Sequence, residues 1–257
     1  MPKKRLGQHF LTDRNILAAV ADAAGVGPDD TVIEVGPGRG SLTRVLAERA
    51  TRVIAIELDA ELADALRAAA PANVEVVEAD ARRTDPTALL GERGLYKLAG
   101  NLPYYAALPI LRRFLESECR PAQAGILVQR EVAQQLAAVP GSMSLASLGV
   151  QLFGRPRITR LVRPGSFAPP PKVTSAVVAV EVYDHIADGV DDVARFFELA
   201  RAGFSAPRKQ LRNALAGGLG AAPAIAEALL AVAGVDPRRR AETLSVAEWA
   251  ALYRAWR

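Results

Sequence analysis

The sequence predicts an α/β protein: a parallel, doubly wound sheet finished by an antiparallel hairpin, with a small all-α domain after it. Three observations lead there. Short β-branched runs alternate with helix-spaced apolar segments between Thr31 and Gln129, a proline-rich connection joins two further strands, and beyond Tyr183 the pattern is helical only.

The first helix is capped by Thr12 or Asp13, carries Ile16, Leu17, Val20 and Ala24 on one face, and stops at Gly25. Strands follow at 31–36, 52–57, 74–80, 95–101 and 124–129, with helices at 40–50, 60–69, 86–90 and 108–118 between them. Two more strands fall at 158–162 and 175–182. The link between them contains Pro169, Pro170 and Pro171, which lack amide donors and fix φ, so it holds no crossover helix. These two strands therefore run antiparallel. Helices at 193–204, 209–215, 222–233 and 246–256 complete the chain, and a boundary at 184 divides it into domains 1–184 and 185–257.

The 257 residues are half hydrophobic and 23% charged, which is globular rather than disordered chemistry. A lone cysteine, Cys119, excludes an internal disulfide framework and a cysteine-based zinc site. With only two histidines, His9 and His185, no metal centre is expected. No apolar run approaches the roughly 18 residues of a membrane span, and the basic start Met1–Arg5 precedes no long apolar stretch. The expectation is a cytoplasmic protein without a membrane partner.

Charge is unevenly distributed under a net +4. Residues 15–111 hold 9 basic and 14 acidic groups, whereas 112–184 hold 9 and 5. A polyanion such as RNA would be drawn to the flanks of the acidic segment.

The first strand of the sheet ends in Glu34-Val-Gly-Pro-Gly-Arg-Gly40 and a helix opens at Ser41. Glycines let the backbone turn sharply and approach a ligand without a Cβ in the way. Glu57 lies 21 residues after Gly36, at the end of the next strand, where a carboxylate can accept ribose hydroxyls. The run is G-x-G-x-G rather than the dinucleotide pattern G-x-G-x-x-G, because position 41 is serine. Glu34 before it suits a ligand with a cationic end and no pyrophosphate, such as S-adenosylmethionine. Asp80, ending the third strand, could accept an adenine amino group.

The fourth strand ends in Asn101-Leu-Pro-Tyr104, at the carboxyl edge where open α/β sheets bind ligands. An exocyclic amine on a heteroaromatic ring is a poor nucleophile, since its lone pair is delocalised. Two acceptors that take its hydrogens free that lone pair for attack on a methyl group. The Asn101 side-chain carbonyl and the Leu102 backbone carbonyl could be those acceptors, and Tyr104 offers a stacking face worth about 1–3 kcal/mol.

Taken in order, these motifs resemble the KsgA-type ribosomal RNA adenine dimethyltransferases. The resemblance extends over Leu6-Gly-Gln-His-Phe-Leu11, Glu34–Gly40, Ala55-Ile-Glu57, Ala79-Asp80-Ala81, Asn101–Tyr104, Phe167–Val173, Arg208-Lys-Gln-Leu-Arg-Asn213 and Arg240-Ala-Glu-Thr-Leu244. It implies a Rossmann-like class I methyltransferase domain and a small helical domain. It further implies methylation of two adjacent adenosines to N6,N6-dimethyladenosine, in a hairpin near the 3′ end of small-subunit rRNA, during ribosome assembly. The cofactor contacts it implies are His9, Leu11, Gly36, Glu57, Asp80 and Asn101. The target amine would meet Asn101 and Leu102, with Tyr104 stacking and Phe167 closing the other face. The chain departs from the family at His9, where asparagine is usual, at the apolar Tyr105-Ala-Ala, and at Gly141-Ser-Met-Ser-Leu145.

RNA contacts are expected from Lys3, Lys4 and Arg5, from Arg112 and Arg113, and from the Arg208-Lys209 and Arg238–Arg240 clusters. The partner is then rRNA or a precursor of the small subunit, engaged by a monomer. Three rival readings stay open: a resistance-type methyltransferase of large-subunit rRNA, an RNA-binding assembly factor whose methylation is secondary, and a nicotinamide oxidoreductase.

Overall fold

Burial decides which runs become strands. The segments Thr31–Val35 (β2), Arg52–Glu57 (β3) and Gln123–Gln129 (β6) are almost wholly inaccessible, as strands covered on both faces must be. With Phe10–Leu11 (β1), Val74–Glu78 (β4), Lys97–Asn101 (β5), Gly154–Val162 (β7), Phe167–Ala168 (β8) and Ser175–Val182 (β9), they complete the strands of a computed structural model that describes residues 9–90, 94–186 and 189–257. Seven strands form one sheet in the order β4-β3-β2-β5-β6-β9-β7. The first five are parallel, while β9 pairs antiparallel with both β6 and β7. The α/β class and the antiparallel hairpin predicted from sequence are present.

The helices Arg14–Ala23 (α1), Ser41–Ala47 (α2), Ala60–Ala69 (α3), Pro86–Leu90 (α4) and Ala107–Leu115 (α5) alternate with the strands. Asp13 caps α1 by accepting from the Asn15 amide at 2.9 Å. Ile16, Leu17, Val20 and Ala24 face inward as their spacing predicts, and meet Val32, Leu127, Val177 and Ala179 of the sheet in one apolar cluster. Gly100 admits no side chain, since a Cβ there would lie 2.6 Å from the Val35 carbonyl oxygen. The ends of β2 and β5 are therefore in direct backbone contact, and this closeness builds the site.

Contacts divide the chain into two compact units: residues 1–134 with 154–183, and residues 135–153 with 184–257. The second unit thus takes in a segment that a single boundary at 184 leaves in the first. Its reason is local: the amides of Gly141 and Met143 both donate to the Glu242 carbonyl, at 2.8 and 3.1 Å. Between β6 and β7 lie two helices absent from the expected pattern, Arg130–Leu136 (α6) and Leu145–Gln151 (α7), the latter started by a capping box of Ser144 and Ser147.

In the second unit, α7 is joined by Val193–Phe204 (α8), Leu211–Leu219 (α9), Pro223–Val232 (α10) and Val246–Trp256 (α11). They close over Phe196, Leu215, Leu230, Trp249 and Tyr253, all at most 1% exposed. Among the described residues no single helix is long and apolar enough to cross a membrane, and no group of three or more His, Cys, Asp or Glu could hold a metal.

Candidate active site

Four strand ends converge on one cleft in the first unit. It is lined by His9, Phe10, Leu11, Glu34, Gly36, Gly38, Glu57, Asp80, Asn101, Leu102, Pro103 and Tyr104, among others. Gly36, Gly38 and Gly40 have φ of 71°, 56° and 75°, the left-handed region open to glycine, so the backbone after β2 turns back on itself. A Cβ on Gly36 would sit 3.6 Å from the Asn101 carbonyl oxygen, which places the glycine turn directly beside the Asn101 edge.

Glu57 is held by the main chain. Its Oε2 accepts from the Gly38 amide at 3.0 Å, and its Oε1 from the Leu58 and Asp59 amides at 2.9 and 3.0 Å. A carboxylate offers about four acceptor sites, so roughly one is left for a ligand hydroxyl unless an amide yields its place. Asp80 is more fully engaged. Arg82 brings its backbone amide, Nε and Nη2 to the two carboxylate oxygens at 2.6–3.1 Å, and the guanidinium holds the carboxyl below its usual range. An amine reaches Asp80 only when Arg82 swings aside, which its half-exposed side chain allows.

Glu34 is the opposite case. It is 1% exposed, lines the cleft, and its Oε2 has no hydrogen-bond partner among the described residues. Burial pushes its carboxyl up to about 8, against the pull of the nearby Thr43 hydroxyl. The negative charge of Glu57 adds to the rise. A buried acid that lines a cleft and leaves one oxygen unpartnered among the described residues suits a cationic ligand group.

Asn101 ends β5, and its Nδ2 donates to the His9 carbonyl at 3.0 Å. With the amide nitrogen so committed, Oδ1 is left as the acceptor available to a substrate amine. His9 is fixed in turn: β1 pairs antiparallel with β8, and the His9 ring Nδ1 lies 2.8 Å from the Pro169 carbonyl. The His9 ring stacks beside Tyr104, with centroids 6.1 Å apart and planes at 26°. The Tyr104 hydroxyl bonds the hydroxyl of fully buried Ser175 at 2.8 Å. Ser175 was not singled out by the motifs. Its signal is a hydroxyl directly at the head of the apolar run Ala176–Val180, since a buried polar group there needs a partner.

Other expected residues lie elsewhere. Phe167 does not line the cleft: it is 4% exposed and packs with Leu11 and Ile16 in the core, because its pairing with Leu11 turns it inward. Leu11 reaches both core and cleft. Arg112 pairs with Glu116, and Arg113 donates to the Thr84 carbonyl at 2.8 Å. Arg238, Arg239 and Arg240 pair with Asp236, Glu248 and Glu242. Arg208 and Lys209 are exposed in the second unit. Lys3, Lys4 and Arg5, with Leu6 to Gln8, lie outside the described residues.

Known proteins match along nearly the whole chain. The ribosomal RNA small subunit methyltransferase A of Dehalococcoides mccartyi (strain CBDB1) is 46% identical over 250 residues, covering 96% of this chain and 86% of that protein. The protein of the same name from Anaeromyxobacter dehalogenans (strain 2CP-C) is 44% identical, covering 98% and 93%. Among solved structures, the 23S rRNA methyltransferase ErmE is 28% identical with a TM-score of 0.75, over 96% of this chain and 98% of that one. A dimethyladenosine transferase from Plasmodium falciparum shares the fold at 24% identity and a TM-score of 0.78, over 95% and 96%. The profile of ribosomal RNA adenine dimethylases matches residues 2–256, and by these measures the chain belongs to that family, whose methyl donor is S-adenosylmethionine.

Proposed function

We propose that this protein dimethylates N6 of two adjacent adenosines in a 3′-terminal hairpin of small-subunit (16S) rRNA, acting as a cytoplasmic monomer on rRNA or on a precursor of the small subunit. The observation that carries the reading is the orientation of Asn101. Its nitrogen is spent on the His9 carbonyl, and it stands beside a glycine turn flanked by Glu34 and Glu57.

The cleft fits the cofactor by its donor set. Glu34 would meet the ammonium of the amino-acid end, Glu57 the ribose, and Asp80 the adenine amino group. When bound, the cofactor supplies a methyl group already activated by a sulfonium. The protein's own task is positioning and electrostatic support. Asn101 Oδ1 and the Leu102 carbonyl would take the two hydrogens of the target amine and turn its lone pair out of the ring system. Tyr104, braced by Ser175, would stack the extruded base, which must leave its helix to reach the cleft. Phe167 could close the other face only if β8 shifts, since the structure buries it.

The pairing of Asp80 with Arg82 has a measurable consequence. Arg82→Ala frees the carboxylate, and loss of this exposed competing pair should tighten cofactor binding by up to about fivefold. Calorimetric titration reads this directly, and weaker binding by the variant would make Arg82 a cofactor contact instead.

The function itself is tested by incubating undermethylated small subunits with enzyme and S-adenosylmethionine, then analysing rRNA nucleosides by mass spectrometry. The expected product is N6,N6-dimethyladenosine. A second reading, methylation of large-subunit rRNA, draws on the 28% identical 23S rRNA methyltransferase structure, while the relatives at 46% and 44% identity carry the small-subunit name. A primer-extension map of the modified nucleotide separates the two.

A further inference from the structure

Among the described residues the sheet ends on β7, an edge strand bonded only to β9. It carries Arg155, Arg157 and Arg160, all exposed. None of the three makes a side-chain ion pair or hydrogen bond among the described residues, unlike Arg112, Arg113 and Arg238–Arg240.

In a regular strand, Arg155 and Arg157 share a face and Arg160 takes the opposite one. The register shows otherwise. Arg155 and Arg157 stand opposite Glu181 and Ala179, Ile158 opposite Val178, and then Arg160, not Thr159, opposite Val177. A bulge at Thr159 therefore returns Arg160 to the face of Arg155 and Arg157, re-aiming one side chain as bulges do. The result is a one-sided row of three arginines on the face where Val177 and Ala179 meet α1. Glu181, in register with Arg155, is the acidic residue directly across from the row.

The row points at the reaction site. Two residues past Arg160, Val162 stands opposite Ser175, whose hydroxyl holds Tyr104. At about 3.3 Å per register step, with the bulged Thr159 adding none, the arginines extend from some 7 Å to some 20 Å along the strand from that position.

We propose that Arg155, Arg157 and Arg160 form a phosphate-binding track for the rRNA strand that delivers the adenosine to Tyr104. This rests on the RNA-methylating function proposed above. Unpaired arginines on a rigid strand contact phosphates without first breaking an internal ion pair.

The test compares wild type with the triple variant Arg155→Gln, Arg157→Gln, Arg160→Gln and with the triple lysine variant. A 3′-terminal hairpin of small-subunit rRNA serves as the probe at 50 and 200 mM salt. At about 0.7 counterions per single-strand phosphate contact, the glutamine variant's salt slope should fall by about 2. Wild type would then lose about 15-fold more affinity than the variant across that range. KM for RNA should rise, kcat and S-adenosylmethionine affinity should hold, and the lysine variant should recover most of the slope. An unchanged slope and KM with intact cofactor binding would overturn the track. So would self-association of the glutamine variant with unchanged RNA affinity, which would make the arginines guards of an open sheet edge. A wild type that neither binds the hairpin nor methylates subunits would overturn the parent reading as well.

Discussion

Replacing Asn101 by alanine should lower kcat by about 10²–10³-fold, the scale seen when one preorganised hydrogen-bonding group is removed from a reacting centre. The cofactor dissociation constant and the RNA affinity should move by no more than a few-fold. On the proposed mechanism, the variant would leave the amine's hydrogens with one acceptor instead of two, and the lone pair would stay in the ring. Asn101→Asp isolates the second half of the argument: it keeps an acceptor but sets a carboxylate against the His9 carbonyl that Nδ2 now satisfies. Its kcat should fall between wild type and alanine. A single-turnover alanine rate within fivefold of wild type would remove Asn101 from the acceptor role.

Glu34→Gln should change the pH dependence of stability. The Glu34 carboxyl is raised from 4.5 to about 8 in the folded protein, so between those values the native state binds more protons than the unfolded one. Stability from this group is full below pH 4.5, declines as pH rises, and is gone above about 8. Over that range the loss amounts to a few kcal/mol. Urea denaturation without cofactor at pH 5, 6.5 and 8 should show a decline in wild type that the glutamine variant lacks. A cation placed against Glu34 favours the ionised form, so cofactor binding at pH 7 should release a substantial fraction of a proton from wild type and none from the variant. Calorimetry in buffers of different ionisation enthalpy measures this. Equal slopes and equal proton release would show that Glu34 is not the titrating group.

The sheet was legible because its strands are β-branched runs between glycine and proline breaks, and because buried parallel strands need continuous apolar stretches. Glu57, Asp80 and Asn101 were legible for a related reason: each ends such a run, and strand ends in this topology share one edge. What escaped detection depends on partners far away in the chain. Two-residue strands such as β1 and β8 have no period to read, and the His9–Pro169 contact spans 160 positions. Phe167 before prolines looks equally like a pocket wall or core, and its pairing with Leu11 decides for core. Charge clusters mislead for a similar reason. Composition counts Arg238–Arg240 as three positive charges, while the structure gives each a carboxylate. The bulge at Thr159 leaves no mark in residue type, so the one-sided arginine row is visible only in the register.

The pairing of residues 10–11 with 167–168 bears on when a newly made chain becomes competent. The five parallel strands and the glycine turn lie before residue 130, so the cleft's floor can assemble early during synthesis. The clasp beside the His9 carbonyl, to which Asn101 donates, needs a segment made some forty residues later. A nascent chain in which β6 has emerged but residues 167–168 have not would thus bind cofactor through Gly36, Glu57 and Asp80, more weakly than the finished protein, before it could pass on a methyl group. Ribosome-bound intermediates of graded length, assayed for both properties, should acquire them in that order.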